Sequence, residues 1–135
     1  MGDTIFTRLL KGELPCAKVY EDERVFAFMD AGQVNPGHVI VATKAPYPTL
    51  MDASDEDAAA LMTAAARIAR AVDVAFAPEG ITILQANRPA AFQTVLHLHL
   101  HVLPRHSGDG VDLTWPRKEP DMATLKELAA KIRVE

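Results

Sequence analysis

The chain has 135 residues, 49% of them apolar and 24% charged, with a formal net charge of −4. That length suits a single domain with a sizeable core, and the acidic balance argues against a nucleic-acid polymer as partner, which demands a basic patch. Cys16 is the single cysteine, so no internal disulfide forms, and no stretch approaches the roughly 20 apolar residues of a membrane span. The N-terminus lacks the basic-then-apolar layout of a signal peptide. Gly2 does not open an acylation signal, because Phe6 stands where Ser or Thr is needed. A cytoplasmic protein with no membrane association is expected.

In chain order, Ile5, Phe6, Leu9 and Leu10 space as one face of a short amphipathic helix, ended by Gly12 and Pro15. Residues 17–22 and 24–30 read as a hairpin about the acidic turn Glu21-Asp22-Glu23. In its second strand Phe26, Phe28 and Asp30 share one face, and Val25, Ala27 and Met29 the other. A carboxylate following two aromatics is either an exposed strand end or the rim of a slot for a ring.

Asn35-Pro36-Gly37 is a turn, and residues 38–43 form a strand that places His38 at its first position. Ser54 caps a long helix running to about Ala77, with Asp55, Glu56 and Asp57 at its positive end. Leu61, Ala65, Ile68, Val72 and Phe76 make its buried stripe. Residues 81–87 form a strand, 88–94 a loop and 96–103 a last strand. Beyond Pro104 the chain is irregular through Gly108-Asp109-Gly110 and Trp115-Pro116 until Asp121 opens a helix carrying Leu125, Leu128 and Ile132. Hairpin-forming strands with few, unevenly placed helices indicate an α+β domain.

The last strand carries the chemistry. Successive side chains of a strand alternate faces, so His97, His99 and His101 share one face at a spacing of about 6.5–7 Å, opposite Leu98, Leu100 and Val102. Charging all three at that spacing is costly, so at least one stays neutral near pH 7 as a nucleophile, base or metal ligand. A three-histidine zinc centre with an open position is one reading. The ligands of such a centre need carboxylates to fix their tautomers, and residues 90–107 contain no acidic side chain. The other reading is phosphoryl chemistry, with a neutral imidazole attacking phosphorus and its neighbours stabilising the charge. Gln93 and Thr94, just upstream, offer neutral donors to a phosphate, and neither a Walker loop nor a G-x-G-x-x-G motif is present.

The run Gln93-Thr94-Val95-Leu96-His97-Leu98-His99-Leu100-His101-Val102-Leu103-Pro104-Arg105 resembles the signature of the histidine triad (HIT) superfamily. The likeness continues upstream through Ile5-Phe6, Ala17-Lys18-Val19-Tyr20-Glu21-Asp22, Ala27-Phe28-Met29-Asp30 and Asn35-Pro36-Gly37-His38. It covers roughly residues 4–105 of a single domain spanning 1–135, with 106–135 as tail and helix, and is nearest the Hint-like branch. The resemblance implies an antiparallel five-stranded sheet with one long helix, a short N-terminal helix and a C-terminal helix.

It also implies a hydrolase or transferase acting on the α-phosphate of purine nucleoside phosphoramidates through a nucleotidyl-histidine intermediate. Dinucleoside polyphosphate hydrolysis, or nucleotide binding with weak catalysis, is the alternative. By position His99 is the nucleophile, flanked by His97 and His101, with His38 as a fourth active-site histidine. Ile5, Phe6, Leu9 and Phe28 match the base pocket, Asp30 the ribose carboxylate, and Gln93 and Thr94 donors near the phosphate, with Asn87 a further nucleotide-binding position. No cofactor is implied, and the family's frequent two-fold pairing implies a homodimer.

Two departures stand out. Thr4, Thr7 and Pro46 occupy positions where many bacterial relatives hold a structural zinc with Cys, Cys and His, so no metal is expected there. Arg88 and Phe92 stand where relatives commonly carry Gly, and an altered substrate preference is expected from them.

Overall fold

The computed structural model describes residues 3–135, so Gly2 lies outside the described residues. Thr4 caps the first helix, α1 (Ile5–Leu10), and exchanges hydrogen bonds with Thr7 in a capping box: each backbone N–H meets the other's hydroxyl, at 2.8 and 3.3 Å. Five strands follow: β1 (Lys18–Glu21), β2 (Val25–Met29), β3 (Val39–Thr43), β4 (Gly80–Leu84) and β5 (His99–Arg105). They form one sheet in the order β1-β2-β3-β5-β4, with antiparallel pairing at each step.

Helix α2 (Asp55–Phe76) starts at Ser54, whose hydroxyl accepts from the Asp57 N–H, and lies across one face of the sheet. Its Leu61, Ala65, Ile68 and Val72 pack on Val25, Ala27, Val39, Val41, Leu98, Leu100 and Val102. Truncating a fully buried leucine such as Leu100 to alanine there costs about 2–5 kcal/mol. Phe76, expected in that stripe, is instead partly exposed at the helix end and lies against Gly37. The other face gathers Phe6, Phe26, Phe28, Ile40 and Ala42 in a smaller cluster under α1. Among the described residues no helix is long and apolar enough to cross a membrane.

Several boundaries differ from the sequence reading. The last strand begins at His99, because the Leu98 N–H donates to the Tyr47 carbonyl at 2.7 Å rather than to Thr43 of β3, which returns only its own N–H to the Leu98 carbonyl at 3.3 Å. It runs on through Pro104, whose missing N–H falls beyond the end of β3 and whose carbonyl accepts from the Asn35 amide. β4 ends at Leu84, three residues early, because Gln85 and Asn87 close a turn through their side-chain amides. A 3-10 turn at Pro89–Ala91 interrupts the loop that follows. Helix α3 (Met122–Ala130) stops before Ile132, and its Met122, Leu125 and Leu128 stay uncovered.

Candidate active site

An open pocket of about 1010 Å³ lies on the sheet face opposite α2. Its apolar end is built by α1, β2 and β3 from Ile5, Phe6, Leu9, Phe28 and Ile40, and its polar end from Asp30, Thr94, His99 and His101. Phe6 sets its ring edge-on to Phe28, His97 and His99, with the His99 centroid 4.8 Å away, so the helix both floors the pocket and packs the histidines.

The ring tautomers follow from the partners. His97 is fully buried, and its Nε2 lies 2.6 Å from the Thr43 carbonyl oxygen; only a protonated Nε2 can donate there. His97 Nδ1 is buried with no partner among the described residues, consistent with a bare lone pair. His99 Nδ1 lies 2.6 Å from the His97 carbonyl oxygen and must donate to it. Its Nε2 therefore keeps the lone pair, on a ring that borders the pocket.

His38 and His101 form a second unit, His38 Nε2 to His101 Nδ1 at 2.8 Å, with the Asp30 carboxylate 3.3 Å from His38 Nε2 and 3.9 Å from His101 Nδ1. Burial lowers the proton affinity of all four rings. His101 falls to about 4, with His99 and His38 adding to the effect of burial and Asp30 opposing it. The site thus holds neutral imidazoles at pH 7, the state that a nitrogen nucleophile requires.

Of the residues expected at the site, Ile5, Phe6, Leu9, Phe28, Asp30, Thr94, His99 and His101 border the pocket. His38 stands behind His101, and His97 behind His99. Gln93 is buried elsewhere: its amide donates to the Pro48 carbonyl at 2.6 Å and its oxygen accepts from the Arg88 N–H at 2.6 Å. Asn87 accepts from the Leu50 N–H at 2.8 Å and exchanges amide bonds with Gln85. Both brace the loop that ends at Thr94 rather than lining the pocket. Sequence reasoning missed Gln33, Val34 and Val95. Gln33 and Val95 line the pocket, and Val34 donates to His38. Val95 follows Thr94 directly, so its place was legible, whereas Gln33 carries no periodicity signal.

Asp30, His38 and His101 bring three candidate metal-ligand atoms within 4.8 Å of one another. The Val34 N–H points at His38 Nδ1 from 3.3 Å, which puts the His38 proton on Nε2, the atom a metal would need. At the N-terminus Thr4 and Thr7 spend their hydroxyls on capping α1, and these residues do not fit a zinc tetrahedron.

Comparison with known proteins gives the family and the fold. Residues 11–108 match the HIT domain family. The protein named hit from Bacillus subtilis is 40% identical over 118 residues, 87% of this chain and 81% of that protein. An adenosine 5′-monophosphoramidase of Schizosaccharomyces pombe is 30% identical over 129 residues, 95% of this chain and 94% of that one. The crystal structure of a HIT family member from Bacillus subtilis superposes with a TM-score of 0.89 at 35% identity, covering 99% of both chains.

Proposed function

The chain belongs to the HIT domain family, and from that premise we propose that it hydrolyses purine nucleoside phosphoramidates through a nucleotidyl group carried on His99. The observation that carries the proposal is the 2.6 Å contact from His99 Nδ1 to the His97 carbonyl, which leaves Nε2 as the free nucleophile beside the pocket. The base fits between Ile5, Phe6, Leu9 and Phe28, and the Asp30 carboxylate suits the ribose hydroxyls. Nε2 attacks the α-phosphorus, the P–N bond breaks, and the amine leaves with a proton taken from water. Water then attacks the same phosphorus, the Nε2–P bond breaks, and a proton returns to solvent. Thr94 and His101 donate to the phosphoryl oxygens as charge builds on them.

The test is turnover of adenosine 5′-phosphoramidate by wild type and His99→Ala. Activity should fall by about 1,000-fold or more in the variant while AMP still binds. Wild type that binds AMP but turns over no phosphoramidate would overturn the reading and direct attention to dinucleotide substrates. A homodimer belongs to the same proposal: β4 is an edge strand with Ile83 and Leu84 exposed, and α3 shows an uncovered apolar side. Sedimentation at micromolar concentration should give twice the monomer mass, and a monomer would refute it.

A further inference from the structure

Gln33 sits in the turn between β2 and β3, with Asp30 at one end and His38 at the other. Its carboxamide is fully engaged within that turn. Nε2 donates to the Asp30 carbonyl at 2.6 Å and to the His38 carbonyl at 2.7 Å. Oε1 accepts from the Gly37 N–H at 2.9 Å and the His38 N–H at 3.2 Å. One side chain ties together the two ends of the segment that carries the ribose carboxylate and the fourth histidine.

The next residue completes the device. The Val34 N–H reaches His38 Nδ1 at 3.3 Å, and a donor there requires a lone pair on Nδ1. Neutral His38 then carries its proton on Nε2, where it meets His101 Nδ1 at 2.8 Å and the Asp30 carboxylate at 3.3 Å. Because His101 Nδ1 must accept, the His101 proton lies on Nε2, the other side of that ring. An extra proton on the pair would either face N–H against N–H across 2.8 Å or displace the Val34 contact.

We propose that Gln33 is a positioning residue which, by holding the Val34 N–H against His38, fixes the tautomers of His38 and His101 so that His101 offers a permanent N–H donor to a bound phosphoryl oxygen. The catalytic half of this statement rests on the hydrolase reading above; the tautomer half does not. With the turn released, His38 samples both neutral tautomers. In one of them His101 presents a lone pair to an anionic phosphate, which repels it.

Nitrogen-15 NMR of the histidine rings in the free protein reads the tautomers directly. Wild type should show both His38 and His101 protonated on Nε2. Gln33→Met, similar in length but without the amide, should show His38 as a mixture. Its kcat on adenosine 5′-phosphoramidate should fall about 10-fold with KM changed by less than about threefold. Gln33→Glu, which sets a carboxylate oxygen against the Asp30 and His38 carbonyls in place of the donors, should lose at least as much as Gln33→Met.

A wild-type His38 protonated on Nδ1 would overturn the proposal even if no variant folded. So would unchanged tautomers in Gln33→Met with only a lower melting temperature. Responsive tautomers in a wild type that turns over no phosphoramidate would uphold the clamp and refute the hydrolase reading instead.

Discussion

His99 Nδ1 lies 2.6 Å from the carbonyl oxygen of His97, so these two histidines communicate through backbone rather than ring to ring. That carbonyl is aimed by the His97 side chain, which is locked in turn by donation to the Thr43 carbonyl at 2.6 Å. His97→Ala removes a fully buried ring and its hydrogen bond and should cost about 2–4 kcal/mol in urea unfolding. It should also lower kcat, since the carbonyl that fixes the His99 tautomer is released. His97→Gln can still donate to Thr43 and should recover part of both losses. Equal activity in all three proteins would show that the His99 tautomer needs no support from His97.

Acid should destabilise the fold in a window set by these rings. An unfolded histidine takes a proton near pH 6.5, whereas folded His101 does so only at about 4, chiefly because of its burial. Between those values the unfolded state binds more protons, so stability is full above about pH 7. It falls on acidification by up to about 1.4 kcal/mol per pH unit for each such ring. His38, His97 and His99 shift in the same direction. Glu21, held down at about 2 chiefly by Lys18 and then by Lys44, acts only at much lower pH. Urea unfolding at about pH 7.5, 6 and 5 should therefore show a steady decline. A flat profile would mean that the imidazoles are not buried in their neutral form.

The face-sharing of His97, His99 and His101 was legible from alternation alone, and so was the core face formed by Leu98, Leu100 and Val102. The start of the strand was not, because Leu98 is claimed by Tyr47 and Thr43, contacts between segments some fifty residues apart that no local pattern encodes. The same holds for Asn87, whose partner Leu50 lies 37 residues away, and for Gln93, which reaches Pro48 across 45. Phe28 and Asp30 on one strand face pointed toward the pocket. The choice between strand end and ring slot needed Phe6 to arrive from α1 and stand 5.4 Å from Phe28, ring centre to ring centre. Apolar spacing announced α3, yet its Leu125 and Leu128 stand exposed, because no other element among the described residues packs on them.

Two residues of the loop before the pocket hold backbone conformations suited to glycine: Arg88 at φ 74° and Phe92 at φ 69°. Phe92 is in addition 88% exposed, so its ring packs on almost nothing to offset that strain. Phe92→Gly should raise stability by about 1 kcal/mol, and Arg88→Gly by a similar amount, after allowing for the chain entropy of glycine. Both substitutions should also change the relative kcat/KM for phosphoramidates of small and of aromatic amines, because the loop leads directly into Thr94 at the polar end of the pocket. An unchanged ranking of leaving groups in both variants would remove the loop from any account of specificity.

Gly37 couples the long helix to the site. Its φ of +102° disfavours any side chain, and an added Cβ would lie 2.7 Å from Cδ2 of Phe76, the last residue of α2. Its N–H also donates to Gln33, and the next residue is His38, so strain here passes to the histidine pair. Gly37→Ala should cost about 2–4 kcal/mol, combining the backbone and steric penalties. Adding Phe76→Ala removes the clash but leaves the backbone conformation, so the double variant should recover the steric part alone. A double-mutant cycle by urea unfolding separates the two. If the penalties of the single variants simply add, Phe76 does not press on the turn, and all of the Gly37 cost lies in the backbone.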